Sequence, residues 1–164
     1  MGPQVIAIAA IGTNRVLGKD NELLWRIPDD MKRLREVTSG HPLIMGRKTF
    51  DSIIAAVGKP LPNRPHIVVT RDASWTHEGA IVAHSIEDAI SRAKDLDRQK
   101  VFIFGGAQIY TAALPYTDML MLTIIDDAKE GDAYFPAFDE FSKIIFREDR
   151  EHEGLQYSWV DLTR

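Results

Sequence analysis

The chain has no cysteine among its 164 residues. Disulfides, thiolate metal sites and cysteine nucleophiles are therefore excluded together, and the composition fits a reducing cytoplasm. Basic runs are absent and the net charge is -4 at pH 7, so nothing supports nucleic-acid binding. No apolar run approaches the ~20 residues of a membrane span. Met1-Gly2-Pro3-Gln4 leads directly into an apolar strand without a basic n-region, so neither a signal peptide nor a membrane partner is expected. Ile6 stands where a myristoylation signal requires Ser or Thr. The histidines, His41, His66, His77, His84 and His152, share no metal-ligand spacing, and no metal is expected. Internal repeats and low-complexity tracts are missing too. What remains is 45% hydrophobic and 27% charged, as in a soluble globular protein, and long enough for one domain over 1–164 with one real core.

The most informative stretch is Trp25-Arg26-Ile27-Pro28-Asp29-Asp30-Met31. It predicts a helix start, with Pro28 at the first helical position and two acids in the first turn. At helical periodicity Ile27, Met31, Leu34, Val37 and Thr38 gather on one apolar stripe. Asp29 falls away from it, where it can pair with Arg33 four residues on. Asp30 falls at its edge, where a carboxylate is costly unless satisfied. Two readings stay open for Asp30. It can serve the free N–H groups of its own helix, or it can await a ligand with paired N–H donors.

In order, Val5–Ala10 predicts a strand buried on both faces. A long irregular connection, Ile11 to Ile27, suits a lid or binding loop. The helix from Pro28 ends near Ser39-Gly40. Pro42–Met45 is a strand, and Gly46-Arg47-Lys48-Thr49 turns into a helix faced by Phe50, Ile53, Ile54 and Val57. Two cations in a first turn oppose the helix dipole, but suit an anion bound there. His66–Thr70 is a strand followed by Arg71, so Arg47 and Arg71 both lie beyond the carboxyl ends of strands, where open α/β sheets bind ligands. Strand Ala80–Ala83 and a helix capped by Ser85 follow. Val101–Phe104 is a buried strand. Gly105-Gly106 then lets backbone approach a ligand closely, without the third glycine of a Rossmann fingerprint. After a helix from Ala107 to Leu114 come strand Met119–Ile125, a Gly131–Pro136 loop, and a closing hairpin of Lys143–Glu151 with Leu155–Thr163. The expected fold is α/β: a single-domain mixed, mostly parallel sheet with helices on both faces and an antiparallel C-terminal hairpin.

Taken together, these segments carry a resemblance. Ile8-Ala9-Ala10, Gly18 with Leu24-Trp25-Arg26-Ile27-Pro28 and Asp30, Met45-Gly46-Arg47-Lys48-Thr49, Pro60-Leu61-Pro62-Asn63-Arg64, Phe104-Gly105-Gly106-Ala107-Gln108-Ile109-Tyr110, and Gly131-Asp132 with Phe135-Pro136 occur in the order and spacing of bacterial dihydrofolate reductases. The chain resembles that family over essentially its whole length. The resemblance implies NADPH-dependent reduction of 7,8-dihydrofolate to 5,6,7,8-tetrahydrofolate, with hydride to C6 and a solvent-derived proton to N5. It further implies a cytoplasmic monomer that supports thymidylate and purine synthesis and is inhibited by antifolates. Asp30 matches the acid that binds the pterin 2-amino group and N3. Thr123 matches its support, and Trp25 the residue that closes the site and orders water. Ile8, Met31, Leu34, Ile53, Leu61 and Phe104 match the walls around the substrate rings, and Arg64 the partner of the glutamate-tail α-carboxylate. Arg47, Lys48, Thr49, Thr70 and Arg71 match the cofactor phosphate sites. Ala10, Leu17, Gly18, Asn21, Gly46 and the run Gly105, Gly106, Ala107, Gln108, Ile109, Tyr110 match the rest of the cofactor site. In the family the glycine pair is joined by a cis peptide, the Ile11–Leu24 loop is a mobile lid, and the position of Asp132 tethers it.

Three departures stand out: Leu24 where proline usually precedes the tryptophan, Leu34 where phenylalanine is common, and Ile54–Val57, which lengthens the second helix or its exit. The first bears on the lid and the second on antifolate sensitivity. Three rival readings are an NADPH reductase of the same fold acting on a phosphoribosyl pyrimidine, a nucleotide-binding or regulatory module without turnover, and a purely structural protein. The first gives Asp30 and Pro60–Arg64 no reason to occur together, the second does not explain Asp30, Arg64 and Trp25 all being present, and the third leaves Arg47, Arg71 and Asp30 unexplained.

Overall fold

Apolar residues alternate between two destinations along each central strand, and that alternation builds the layers. In the computed structural model, which describes residues 2–19 and 22–164 without the side chains of Glu22 and Leu23, strand β1 (Gln4–Gly12) sends Val5, Ala7 and Ile11 to one face and Ile6 and Ile8 to the other. The chain continues through β2 (Val16–Lys19), β3 (Glu22–Leu23), α1 (Pro28–Thr38), β4 (Leu43–Gly46), α2 (Arg47–Val57), β5 (His66–Val69), β6 (Ala80–Ala83) and α3 (Ile86–Leu96). Then come β7 (Lys100–Gly105), α4 (Ala107–Ala113), a 3-10 turn at Leu114–Tyr116, β8 (Met119–Ile125), β9 (Ala133–Tyr134), β10 (Lys143–His152) and β11 (Leu155–Thr163).

Eight strands form one sheet in the order β10-β11-β8-β1-β7-β4-β5-β6. Only β11 runs against the rest, pairing antiparallel with both β8 and β10, so the expected mixed sheet and closing hairpin are both present. Leu34 and Val37 of α1 and Phe50, Ile53 and Ile54 of α2 pack over Ile6, Ile8, Leu43, Met45 and Phe102. Ala89, Ile90 and Ala93 of α3 and Tyr110 and Ala113 of α4 cover Val5, Ala7, Ile44, Ile67 and Ile103 on the opposite face. The neighbours β1 and β7 send their connections to opposite faces, which opens a crevice beyond their carboxyl ends.

Three expectations need correction. The stretch 11–27 is not wholly irregular: β2 pairs with β3 and with β9 in a separate antiparallel sheet. The expected loop at 131–136 supplies that third strand. Two- to four-residue strands are too short to show a hydrophobic period, which is why the pattern concealed them. Close backbone approach holds this small sheet. A Cβ on Gly131 would lie 2.5 Å from the Gly18 carbonyl oxygen and would strike the Val16 side chain. Asp29 and Arg33 also do not pair along α1. Arg150 of β10 takes Asp29 at 2.9 Å, and Arg33 turns to Asp161 of β11 at 3.6 Å. The half-buried pair beneath the helix displaces a solvent-exposed one of small worth.

Candidate active site

Asp30 sits in the first turn of α1, over the sheet region where β1, β8 and β11 run side by side. Strand register brings Ala10 beside Thr123, and Thr123 beside Trp159. Both neighbours reach the acid: Thr123 Oγ1 donates to Asp30 Oδ1 at 2.5 Å, and Trp159 Nε1 donates to the same oxygen at 2.9 Å. Among the described residues no protein donor is recorded on Oδ2. Two strands of the sheet, β8 and β11, thus hold one oxygen of the acid. The sequence reading included Thr123 and missed Trp159. A tryptophan alternating with Tyr157 and Asp161 was the available signal, but the inward face of β11 could not be assigned without its register.

The apolar residues expected around the substrate belong largely to one core cluster. Ile8 is buried, while Leu34, Ile53, Leu61 and Phe104 are partly buried against the core under α1 and α2. Met31, expected on the apolar stripe, is 43% exposed, as suits a wall facing an open cleft. Trp25 packs with Ile27, Ile125 and Tyr157. Its indole N–H donates to Asp127 Oδ2 at 3.0 Å, and Lys129 Nζ donates to the Leu24 carbonyl at 3.0 Å while lying 5.6 Å from the Trp25 ring centroid. The indole N–H therefore has a protein partner in Asp127. The sheet carrying the lid is tied down nearby. The Asp132 N–H donates to the Gly18 carbonyl at 3.1 Å, and the Phe135 N–H donates to that of Arg15 at 2.8 Å.

Arg64 is 8% exposed, in the connection between α2 and β5. Its Nε donates to the Pro62 carbonyl at 3.0 Å and its Nη1 to Thr38 Oγ1 at 3.1 Å. Thr38 in turn donates to the Leu34 carbonyl at 2.7 Å. The guanidinium is oriented before any ligand arrives. Burial, and then the positive charge of Arg35, lower its pKa from the ordinary arginine value. His66 secures the loop. Its Nε2 accepts the Leu61 N–H at 3.1 Å, so its Nδ1 carries the proton and donates to the Arg64 carbonyl at 2.7 Å. Burial chiefly lowers the His66 pKa and keeps the ring neutral. The unfolded chain therefore takes up the proton first as pH falls, and stability is lost below the ordinary histidine range. Asn at 66 also offers a donor and an acceptor but does not titrate. Denaturant midpoints of His66→Asn should accordingly depend less on pH between about 5 and 7 than those of the native chain; parallel curves would exclude this role.

At the carboxyl ends of β4 and β7 the requirements for an anion meet. α2 begins at Arg47 with Gly46 before it and no acid in its first turn. Arg47 lies 3.5 Å from Asp51, and Lys48 is exposed. Thr49 Oγ1 would be 3.8 Å from a Cβ on Gly106, and Ile109 Cγ1 3.3 Å from one on Gly46, so the two strand-to-helix turns adjoin. The Gly105–Gly106 peptide is cis and Gly105 has φ +115°, a conformation that side-chain-bearing residues rarely adopt. Tyr110 lies beneath, its hydroxyl donating to the Ile8 carbonyl at 2.6 Å; burial raises its pKa, so this neighbour of the cofactor run is a buried support. Thr70 Oγ1 accepts the Asp72 N–H at 3.1 Å. Arg71 borders an open groove of about 430 Å³ with Ala107, Gln108, Thr111 and Ala112. These features fit a dinucleotide phosphate: cations, unopposed helix N–H groups and glycine backbone without Cβ atoms in the way. Ala10 pairs with Thr123 from β1, Leu17 and Gly18 lie in β2, and Asn21 lies outside the described residues.

Comparisons with known proteins agree with this geometry. The family model for dihydrofolate reductase matches residues 4–164. Dihydrofolate reductase of Bacillus subtilis (strain 168) is 45% identical over 133 residues, 81% of this chain and 76% of that protein. Dihydrofolate reductase HdrB of Haloferax volcanii is 37% identical over 156 residues, 93% of this chain and 80% of that one. A solved dihydrofolate reductase from Enterococcus faecalis, complexed with NADP(H) and RAB-propyl, superposes with a TM-score of 0.87 at 30% identity, covering 98% of this chain and 96% of that one. Family and fold place the chain among NADPH-dependent oxidoreductases of the α/β class. The chain belongs to the dihydrofolate reductase family.

Proposed function

We propose that Asp30 is the electrostatic centre of the reaction, with Thr123 supporting it and Trp25 closing over it. As a member of its family the chain is an NADPH-dependent oxidoreductase that reduces 7,8-dihydrofolate to 5,6,7,8-tetrahydrofolate, and its ligands are small molecules, including antifolates. Support for the role of Asp30 comes from its geometry: an acid with both recorded protein donors on one oxygen. The second oxygen and the charge can then engage the paired N–H groups of a pterin. A carboxylate there favours the protonated pterin and so the arrival of a proton at N5 from solvent.

The reduced nicotinamide, when bound, supplies the hydride. Ile8, Met31, Leu34, Ile53, Leu61 and Phe104 hold the substrate rings flat and exclude bulk water. Arg64 binds the α-carboxylate of the tail. Arg47, Lys48, Thr49, Thr70 and Arg71 hold the cofactor phosphates, while Gly46 and the 105–110 run accept the rest of the dinucleotide against backbone. Ala10, Leu17, Gly18 and Asn21 complete the cofactor site. The whole chain, 1–164, acts as one domain and as a cytoplasmic monomer without a nucleic-acid or membrane partner; the net charge of -4 and the absence of cysteine support this.

The test is NADPH absorbance on addition of 7,8-dihydrofolate to the purified protein. Folate-dependent oxidation is expected. NADPH binding without oxidation would instead transfer the weight to the phosphoribosyl-pyrimidine reductase or the module without turnover. The phosphate assignment has its own test. A hydrogen bond to a charged group is worth about 1.5–3 kcal/mol, so Arg47→Ala with Arg71→Ala should cut the preference for NADPH over NADH by roughly tenfold or more. An unchanged preference in the double variant removes both arginines from that site.

A further inference from the structure

Trp159 lies outside the residues that the fold and family bring to mind, yet its indole N–H rests on the acid of the proposed site. Its own surroundings are unusual. The Arg33 guanidinium lies 4.7 Å from its ring centroid and that of Arg150 4.5 Å away. Each cation is separately anchored. Arg33 faces Asp161 at 3.6 Å. Arg150 donates to Glu148 at 2.7 Å, to Asp29 at 2.9 Å and to the Tyr157 hydroxyl at 3.2 Å. The indole is therefore held by two guanidinium groups, one from α1 and one from β10, each gaining from the negative face of the ring. The remaining edge of the ring carries one donor, and that donor is spent on Asp30 Oδ1.

We propose that Trp159 is the positioning residue for Asp30. A carboxylate on a short side chain has a broad, roughly two-fold terminal torsion. One donor, from Thr123, locates Oδ1 but still permits rotation about that contact. A second donor on the same oxygen, from a ring that cannot itself turn, fixes the plane of the group and directs Oδ2 and the free lone pairs to the ligand. Arg33 and Arg150 act one step further out by fixing the ring. Asp29 takes part here through Arg150, which explains why the neighbouring acid leaves the helix surface to pair with a distant strand. This inference rests on Asp30 being the functional acid.

Trp159→Phe keeps an aromatic ring for both arginines and removes the N–H. It should lower kcat for dihydrofolate about tenfold, the worth of one charge-assisted hydrogen bond, and weaken binding of a 2,4-diaminopyrimidine, with the Kd for NADPH within twofold of the native value. A spectroscopic reading on the native fold accompanies it. Of the three indole N–H resonances, from Trp25, Trp75 and Trp159, the one with an NOE to the Thr123 methyl should lie downfield and move upfield in Asp30→Asn, where the acceptor loses its charge. The Trp75 resonance should stay in place. Kinetics of Trp159→Phe superimposable on the native enzyme overturn the proposal, as does an indole resonance indifferent to Asp30→Asn. Full turnover in Asp30→Asn overturns the reading beneath it instead, so the two failures are distinguishable. Should Trp159→Phe fail to fold, Arg150→Met leaves the indole in place and removes one clamp; a smaller fall in kcat, again without change in NADPH binding, is the expected result.

Discussion

Asp30→Asn should lose roughly 10²–10⁴-fold in turnover at neutral pH, the range typical of a positioned acid–base group, while remaining folded. The reason lies in which oxygen does which work. Thr123 and Trp159 both donate to Oδ1, and the carbonyl oxygen of asparagine can accept both bonds. The framework around residue 30 is therefore kept. The other atom changes from an acceptor with negative charge to an NH₂ donor facing the ligand's own N–H groups. Paired recognition fails, and the charge that draws a proton toward N5 is gone. Stability should change little, or rise, because a partly buried charge has been removed. As pH falls, solvent protonates free dihydrofolate more readily and the deficit should narrow. Stopped-flow hydride transfer across pH, with a denaturation curve for each protein, measures both parts. Equal turnover at neutral pH would end the assignment of Asp30; a collapse of stability together with activity would make its role structural.

The sequence made that acid visible because helical periodicity is a strong signal: Pro28 marks the start, and the stripe from Ile27 to Thr38 shows which acid faces inward. The same held for the βα order, since each central strand is a short apolar run that glycine or proline bounds. Across strands the sequence is silent. Trp159 meets Asp30 through a register that links β11 to β8, and Arg150 meets Asp29 across 121 positions of chain. Neither distance leaves a local trace. The pairing of Asp29 with Arg33, which local spacing does favour, loses to these long-range partners. Likewise β2, β3 and β9 are too short for a period, and the cis peptide at Gly105–Gly106 is a property of the backbone that two glycines permit and do not announce. Arg47 and Arg71 were legible as cations beyond strand ends and Arg64 only through the resemblance; the hydrogen bonds that orient Arg64 were not legible.

Arg64→Leu is the second large effect. A carboxylate bound by a buried, hydrogen-bonded arginine loses about 2–5 kcal/mol when that partner is truncated, much of it from leaving the other charge unpaired. Dihydrofolate should then bind roughly a hundredfold more weakly. Two consequences can be separated. Leucine removes the donor from the Pro62 carbonyl, on an exposed residue, and from Thr38 Oγ1, which keeps its own bond to the Leu34 carbonyl, so some stability is lost too, about 0.5–1.5 kcal/mol for each lost bond. Arg64→Lys controls for this. It restores a positive charge but not the planar fork, since an ammonium binds as a point charge, and it should recover part of the affinity. A pterin lacking the glutamate tail should be indifferent to either change, because the carboxylate that Arg64 serves is absent from it. NADPH binding should be preserved throughout, since the turns proposed to hold its phosphates stand at the ends of β4 and β7 and, among the described residues, share no hydrogen bond with Arg64. Titrations of all three ligands against both variants decide the matter. Equal losses for tailed and tailless pterins, or for folate and NADPH, would make Arg64 a structural arginine and leave the tail without its partner.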